Sequence, residues 1–471
     1  MIFPVCVIGA GLAGSEAAYQ LAKRGIAVAL VEMRPKKMTP AHQTGLAAEL
    51  VCSNSLRSDD PHNAVGLLKR EMELLGSLVI RAAREARVPA GSALAVDRDR
   101  FSGAITRGLK ELPLISWFEN ETVDLQSDEN GVVVQMDSGQ KIRARRALIA
   151  SGPLTSDSLG QWIKKTTGEA FLYFYDSIAP IVEAESIDLG IAFKASRYQS
   201  ATRTEGDYIN CPMTRAEYEN FVEAIARAEL AEVHDFDRAK FFEGCLPIEE
   251  MVRRGPQTLA FGPMKPVGLV NPHRSTGKPH AVVQLRQDNL HASLYNMVGF
   301  QTRMKWPEQG RIFRMIPGLA EAEFVRFGSM HRNTYLCSPV LLNGSFELKQ
   351  FPGVHLAGQI TGCEGYVESA AVGLFCGCLL ASLSREEEAQ SPPPPTTALG
   401  ALVHHILKAD PDNFQPMNVN FGLFAPLEGK IKKKEKKELF VSRALTDMQA
   451  WADHFKKVFA CNRETSLLPL F

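Results

Sequence analysis

The sequence predicts an α/β protein in which a parallel-sheet domain is interrupted along the chain by an inserted α+β domain. Two junctions, one at the start of the chain and one near residue 360, each run from an apolar strand through glycines into a helix. Between them, short strand-like runs mix with one helical stretch and many Pro and Gly residues. We therefore predict that residues 1–165 and 325–471 form the interrupted domain and that residues 166–324 form the inserted domain.

The first junction has the pattern of a dinucleotide-binding βαβ unit. An apolar strand ends at Gly9, an Ala- and Leu-rich helix follows Gly14, and a second apolar strand ends at Glu32. Gly9 permits the tight turn, Gly11 lets a pyrophosphate approach the backbone, and Gly14 lets the helix pack closely on the strand. Glu32 stands where a carboxylate accepts hydrogen bonds from a ribose hydroxyl. The predicted cofactor-binding residues here are Gly9, Ala10, Gly11, Leu12, Ala13, Gly14 and Glu32.

The second junction repeats this pattern. A strand at residues 354–356 is followed by Gly358, Gly362 and Gly365 and then by a helix of small residues. These glycines are predicted to bring a second helix N-terminus to the cofactor, and the alternative is that they only allow close helix packing. Two elements suit FAD, which needs contacts at both of its ends, whereas NAD alone needs the first. The predicted fold is therefore a discontinuous Rossmann-like FAD-binding domain with an inserted α+β domain.

Several further elements follow from hydrophobic periodicity. Helical spacing over residues 62–87 predicts one covering helix, with Lys69 away from its apolar side. A run of four prolines at residues 392–395 predicts a stiff spacer, and residues 430–437 are strongly basic. The remaining predicted elements are strands at 112–118, 131–136, 146–153 and 281–285 and a helix at 215–230.

Composition limits the classes of function. Apolar residues make up 45% of the chain, and Lys plus Arg equal Asp plus Glu at 53 each, so nucleic acid would have to bind to local basic patches. Nine scattered cysteines fit a reducing compartment, which predicts a cytoplasmic protein. The first strand starts too early to leave room for a signal peptide, and no run approaches the ~20 apolar residues of a membrane span.

Two cysteines stand apart from the others. Cys52 lies in a polar loop close in sequence to the cofactor unit, and Cys245 lies at a Gly-Cys turn with Arg253 and Arg254 close behind. Nearby cations lower the pKa of a thiol from its reference of ~8.5, so a reactive role is as well supported as a structural one. Packing roles are expected for five of the others, and no Cys or His cluster has zinc-ligand spacing. The cysteines expected to pack are Cys6, Cys376, Cys378, Cys211 and Cys337.

Blocks spread along the chain closely resemble the bacterial folate- and FAD-dependent tRNA uracil-5-methyltransferases, the TrmFO family. The resemblance extends from residue 5 to about residue 440 and departs from the family in the linker at 385–396 and in the tail after 440. Blocks at separate sites are far more specific than a single glycine motif. The matching blocks are residues 9–18, 48–58, 242–249, 261–269, 284–288, 330–334 and 362–370.

The resemblance implies methylation of carbon 5 of the T-loop uridine of tRNA, position 54, to give ribothymidine. It implies FAD, 5,10-methylenetetrahydrofolate as the carbon donor, and NADH or NADPH as the reductant. By motif match, Cys245 corresponds to the nucleophile that adds to carbon 6 of uracil, and Cys52 to the cysteine proposed to help remove the carbon 5 proton. Candidate RNA contacts are Arg253, Arg254, Lys265, Arg286 and residues 430–437, each of which is equally explained as ordinary surface charge.

Four alternatives remain open from the sequence. The same chemistry could act on a ribosomal RNA uridine, or the chain could be the tRNA wobble-uridine enzyme MnmG, although that chain is considerably longer and the Cys245 block argues against it. A flavin-dependent oxidoreductase of a small molecule would leave the cysteines structural. A nonenzymatic FAD-binding scaffold is the fourth. The sequence predicts no oligomeric state.

Overall fold

A computed structural model describes residues 2–168, 172–197, 206–231, 246–273, 278–385, 391–429, 431–432 and 435–465. The strands are β1 (Ile2–Ile8), β2 (Val28–Glu32), β3 (Ser55–Ser58), β4 (Arg87–Val88), β5 (Ala93–Val96), β6 (Ile115–Glu119), β7 (Thr122–Asp128), β8 (Gly131–Met136), β9 (Lys141–Ile149), β10 (Leu172–Ser177), β11 (Ile181–Glu183), β12 (Phe193–Ala195), β13 (Tyr208–Met213), β14 (Ala281–Gln287), β15 (Leu294–Met297), β16 (Phe324–Arg326), β17 (Met330–Tyr335) and β18 (Val354–Leu356).

The helices alternate with these strands in the first part of the chain and dominate its last part. They are α1 (Leu12–Lys23), α2 (Ala64–Leu74), α3 (Leu78–Glu85), α4 (Arg98–Lys110), α5 (Asp157–Thr167), α6 (Arg215–Ala226), α7 (Ile248–Arg254), α8 (Thr258–Phe261), α9 (Trp306–Phe313), α10 (Ser338–Leu341), α11 (Tyr366–Ser384), α12 (Ala398–Lys408) and α13 (Lys436–Thr465).

The main sheet contains strands from both ends of the chain. Its order is β6-β2-β1-β9-β8-β7, and β18 also pairs with β9. β1 lies parallel to β2 and β9, β2 lies parallel to β6, and β18 lies parallel to β9. β2 is buried along its whole length, as a strand covered by helices on both faces requires. The predicted α/β class is confirmed.

A second sheet is antiparallel and is built from the middle of the chain. Its order is β12-β13-β14-β15-β11-β16, and its buried side chains form a core separate from that of the main sheet. β10 and β17, the strands that lead into and out of this unit, pair with each other in antiparallel fashion. The predicted domain boundaries stay predictions, and β16 (Phe324–Arg326) lies across the second of them.

Helices α1 and α11 pack closely because small residues meet at their contact. A Cβ added at Gly373 would lie 2.2 Å from the carbonyl oxygen of Ala13, and one added at Gly377 would lie 2.8 Å from that of Ala17. Only glycine at these two positions of α11 lets the backbones approach so closely. The contact fixes the start of α1 against the start of α11.

Three sequence expectations need correction. The helix predicted over residues 62–87 is two helices, α2 and α3, because the chain turns at Gly76 with φ of +73°. Lys69 is fully buried, with its Nζ donating 2.7 Å to the carbonyl of Ser58. The prolines are no spacer between separate units, since the Pro394 carbonyl caps the start of α12, and Glu71 of α2 accepts from the first amides of α12.

The expectation about apolar runs is also corrected. α11 is long and apolar enough to cross a membrane, with a mean hydropathy of 1.7 over its most apolar window. However, 89% of that window is buried inside the protein. α11 is thus the central core helix between α1 and the outer helices, and its apolar character reflects burial on all sides.

Candidate functional site

A cavity of about 580 Å³ opens where the carboxyl ends of the parallel strands meet the inserted unit. This volume falls within the roughly 300–1,000 Å³ typical of small-molecule sites. Both glycine junctions contribute to its wall, together with the loop that carries Cys52 and residues of the antiparallel sheet. The position agrees with the rule that open α/β sheets bind ligands at the carboxyl ends of their strands.

The three glycines of the first junction have different steric surroundings. A Cβ at Gly9 would lie 2.6 Å from the Ala150 carbonyl oxygen, and one at Gly14 would lie 1.8 Å from the Gly9 carbonyl oxygen. Gly11 has nothing within 4 Å of an added Cβ, although it is the N-cap of α1. Gly9 and Gly14 are therefore required by the fold, whereas Gly11 leaves an open cradle at a helix N-terminus, as a bound pyrophosphate needs.

Glu32 ends β2 at the cavity wall and is 5% exposed. Its Oε2 accepts from the Ala10 amide at 2.8 Å, and its Oε1 accepts from the amide and Nε of Arg34, both at 3.0 Å. Burial disfavours the carboxylate, but the Arg34 charge and these hydrogen bonds outweigh burial and lower the pKa of Glu32. The site thus holds a fixed negative charge where the sequence predicts a ribose hydroxyl.

The three glycines of the second junction are all sterically constrained, since even at Gly365 an added Cβ would lie 2.4 Å from Glu368 Oε2. Gly365 is the N-cap of α11 and lines the cavity. A Cβ at Gly358 would lie 2.6 Å from that of Ala13, and one at Gly362 would lie 2.4 Å from the ring of Phe414. Gly358 and Gly362 are absent from the cavity wall, as are Ala10 and Gly14 of the first junction, so their predicted cofactor contacts stay predictions. Gly9, Gly11, Leu12, Ala13 and Glu32 lie on the wall.

Cys52 lines the cavity and is held by a tyrosine from the far end of the chain. The Tyr366 hydroxyl accepts hydrogen bonds from the amides of Cys52 at 2.8 Å and Ser53 at 3.1 Å. The Cys52 thiol donates to the carbonyl of Ser177 at 3.4 Å. Sequence patterns assigned no role to Tyr366, although it lies within one of the blocks that carry the family resemblance.

Two largely buried arginines hold the same loop. Arg98 donates to the Leu50 carbonyl at 2.7 Å and forms an ion pair with Asp288 at 3.2 Å. Arg286 of β14 donates to Asn54 Oδ1 at 2.9 Å and to Ser53 Oγ at 2.8 Å. The inserted sheet therefore contacts the Cys52 loop directly. Arg286 is 7% exposed and lines the cavity rather than the outer surface, so its predicted contact with RNA stays a prediction.

Two asparagines present buried polar atoms on the cavity wall. Asn296 of β15 and Asn333 of β17 are 3% and 1% exposed, and both line the cavity. Within the described part of the chain, Asn296 Nδ2 and Asn333 Oδ1 have no hydrogen-bond partner. Leaving such atoms unpaired costs about 1–3 kcal/mol each, which indicates that a bound molecule supplies a matching acceptor and donor.

Cys245 lies outside the described residues. On its C-terminal side, Leu246 is buried and Met251 of α7 lines the cavity. The cysteines expected to pack are buried at positions 6, 211, 376 and 378, whereas Cys337 is partly exposed. Burial raises the pKa of both Cys6 and Cys211 to about 12, so neither thiol ionises near neutral pH. Within the described ranges, no group of three His, Cys, Asp or Glu side chains could hold a metal ion.

The chain is similar in sequence to one protein family and to named bacterial proteins. The family described as "Glucose inhibited division protein A" matches residues 4–388. A relative in Geobacter sulfurreducens, named methylenetetrahydrofolate-tRNA-(uracil-5-)-methyltransferase TrmFO, is 53% identical over 447 residues, which is 95% of this chain and 98% of the relative. A relative of the same name in Geotalea uraniireducens is 54% identical over 445 residues, covering 94% of this chain and 98% of the relative.

Among solved structures, this chain is similar to Aquifex aeolicus GidA in its form II crystal. The TM-score is 0.70 with 16% sequence identity, over 98% of this chain and 76% of that one. At that identity the likeness concerns the fold alone, and it agrees with the α/β architecture described above. The identities above one half, over nearly the whole length of both chains, are far more specific. This chain belongs to the TrmFO family.

Proposed function

We propose that this protein transfers a one-carbon unit from 5,10-methylenetetrahydrofolate to carbon 5 of the T-loop uridine of tRNA. FAD occupies the cavity, and NADH or NADPH supplies the reducing equivalents. The observation that carries the proposal is the membership of the TrmFO family over nearly the full chain, combined with a cavity that has a dinucleotide cradle and Cys52 on one wall.

The residues of the cavity fit FAD. Gly11 leaves free space at the N-terminus of α1 for the pyrophosphate, and Glu32 presents a carboxylate for a ribose hydroxyl. Gly365 and Tyr366 begin α11 on the same wall, where a second helix N-terminus approaches. When bound, FAD supplies the electrons that convert the one-carbon unit into a methyl group.

Cys245 is the proposed nucleophile. Its thiolate forms a bond from Sγ to carbon 6 of uracil, and the displaced electron pair moves to carbon 5 and the carbon 4 oxygen as an enolate. Carbon 5 is then nucleophilic enough to take the one-carbon unit. Met251 on the cavity wall, six residues beyond Cys245 in the sequence, supports an approach of this segment to the site.

Cys52 is the proposed acceptor of the carbon 5 proton. Once that proton leaves, expulsion of the Cys245 sulfur from carbon 6 restores the ring double bond. Two contacts support this role, because Tyr366 holds the Cys52 amide and Arg286 holds the neighbouring Ser53 hydroxyl while Cys52 lines the cavity. Tyr366 is a positioning residue, since it acts on Cys52 through the backbone.

The test is to incubate the FAD-loaded protein with an unmodified tRNA transcript, NADPH and methylenetetrahydrofolate labelled in its methylene carbon. We expect label in 5-methyluridine at the T-loop position. A transcript with cytidine at that position is the matched control and should take up no label. Label in ribosomal RNA but not in tRNA, or no label in any RNA, would contradict the proposal.

We further propose that the protein works in the cytoplasm, where its tRNA substrate is modified. Among the described residues, α11 is the one helix long and apolar enough to span a membrane, and its burial in the core supports this location. Cell fractionation with detection of the protein in the membrane pellet after salt washing would contradict it.

A further inference from the structure

We infer that the segment from Phe261 to Val270, called the rim segment, is a docking surface for unpaired RNA, and that Phe261 stacks on a nucleobase. The inference rests on the proposed function, because it concerns how the same RNA substrate is held. The segment joins α8 to the loop before β14 and lies outside the predicted catalytic and cofactor-binding residues.

The rim segment exposes apolar side chains to an unusual degree. Phe261 is 79% exposed, Val267 is 48% exposed and Val270 is 84% exposed. Alternating with them, Leu259, Met264 and Leu269 point inward and are at most 6% exposed. The outward side chains are therefore presented by a segment that is anchored in the core.

Hydrogen bonds hold this presentation in place. Arg197 donates from Nη1 to the carbonyls of Lys265 at 2.5 Å and Val267 at 2.9 Å. Its Nε donates to Gln284 Oε1 at 2.8 Å, which ties the segment to β14. The Val282 amide of β14 donates to the Met264 carbonyl at 2.9 Å. A fixed aromatic side chain loses little conformational entropy when a partner binds.

The rim segment is continuous with the reaction cavity. Pro263 lines the cavity two residues beyond Phe261, and Met251 lines it from α7 just before the segment. A Cβ at Gly299 would lie 2.6 Å from that of Pro263, so the absence of a side chain at Gly299 lets Pro263 reach the wall. A molecule that inserts one base into the cavity would place its flanking nucleotides over this rim.

The charge around the segment favours a polyanion. No Asp or Glu occurs from residue 251 to residue 287, and the same stretch contains six cationic residues. The Arg253 side chain on the last turn of α7 is 60% exposed and pairs with Glu250 at 3.2 Å, whereas Lys265 is exposed on the rim segment itself. Aromatic side chains on a basic surface bind single-stranded nucleic acid by stacking on its bases. The six cations are Arg253, Arg254, Lys265, Arg274 and Lys278, together with Arg286, which is only 7% exposed and adds no charge to the outer surface.

The experiment compares three substitutions of Phe261 in the FAD-loaded protein. Fluorescence anisotropy with labelled unmodified tRNA gives Kd, and the methylation assay gives KM and kcat. Because stacking on one base contributes a free energy equivalent to about 5- to 150-fold in Kd, Phe261→Ala and Phe261→Leu should raise Kd and KM by that factor and leave kcat and flavin content unchanged. Phe261→Tyr should keep wild-type values. Leu189→Ala is the control, since Leu189 is 49% exposed beside Asp188 on an acidic stretch.

The following results overturn the inference, except the last, which overturns only the proposed function. If Kd is unchanged in all three Phe261 variants, the rim segment does not bind RNA. If Phe261→Leu binds tRNA with the wild-type Kd, Phe261 does not stack on a base. If the variants lose tRNA affinity and also sediment as monomers where the wild-type protein sediments as a dimer, the rim segment binds a second copy of the chain. If the variants lose binding to phosphatidylserine vesicles and keep the wild-type affinity for tRNA, the rim segment binds a membrane surface. If wild-type protein methylates tRNA but the variants match it, the inference fails alone. If wild-type protein binds tRNA through Phe261 without methylating it, the proposed function fails alone.

Discussion

Gly11→Val separates a glycine that leaves room for a ligand from one that the fold itself requires. An added Cβ at Gly11 meets nothing within 4 Å, and the φ of −69° and ψ of −170° are accessible to any residue. The substitution should therefore change the free energy of unfolding of the flavin-free protein by no more than about 0.5 kcal/mol. The valine carbons, however, would stand where the pyrophosphate meets the helix N-terminus. Loss of two charge-assisted hydrogen bonds, at about 1.5–3 kcal/mol each, corresponds to roughly 10²- to 10⁴-fold weaker flavin binding.

Gly14→Ala is the matched control in the same turn. Its Cβ would lie 1.8 Å from the Gly9 carbonyl oxygen, so the backbone must move, and we expect destabilisation of at least about 3 kcal/mol. Flavin affinity is measured by titration of the flavin-free protein with FAD, and stability by urea denaturation. Wild-type flavin affinity in Gly11→Val, or a loss of stability as large as that of Gly14→Ala, would refute the interpretation that Gly11 leaves space for a bound pyrophosphate.

Three further outcomes are expected. Tyr366→Phe leaves the Cys52 and Ser53 amides without their acceptor, so kcat should fall about tenfold or more while flavin content is kept, and unchanged kcat would exclude the positioning role. Asn333→Leu removes a buried unpaired oxygen, so urea denaturation should show no loss of stability while kcat/KM falls about tenfold; a large loss of stability would mean that the oxygen is paired in the free protein. Burial lowers the pKa of His355 to about 4, below its value of about 6.5 in the unfolded chain. The unfolded state therefore binds more protons than the folded state between these two pH values. As the pH is lowered from about 6.5 to about 4, the free energy of unfolding should decrease by up to about 1.4 kcal/mol per pH unit, and this decrease should be larger in the wild-type protein than in His355→Gln. Parallel pH profiles of the two proteins would contradict this.

The local parts of the fold were predictable because their signals are local. The strand, glycine and helix of the first junction occupy adjacent positions, and each glycine has its own steric demand. The second junction shows the limit of such patterns. Gly358 and Gly362 carry the same signature as Gly365, yet their absent side chains make room for Ala13 and Phe414, whereas Gly365 faces the cavity. A ligand and a packed side chain both require the same missing Cβ.

The parts that could not be predicted depend on contacts between distant positions. Tyr366 and Cys52 are 314 residues apart, and Arg286 and Asn54 are 232 residues apart. No periodicity reports which side chain will satisfy the amides of a loop so far away. The burial of Lys69 is similar, since helical spacing placed it on a polar face, and only the three-dimensional packing of Ser58 beside it provides an acceptor.

In the proposed mechanism, a thiol of this chain adds to a uridine of RNA before the one-carbon unit is transferred. The most direct measurement replaces the T-loop uridine of tRNA with 5-fluorouridine and incubates it with the reduced holoenzyme and methylenetetrahydrofolate. With fluorine in place of hydrogen, carbon 5 has no proton to lose, so the sulfur is not expelled and the covalent adduct should persist. Peptide mass spectrometry should locate the adduct at Cys245. An adduct on any other residue, or full turnover without an adduct, would contradict the account.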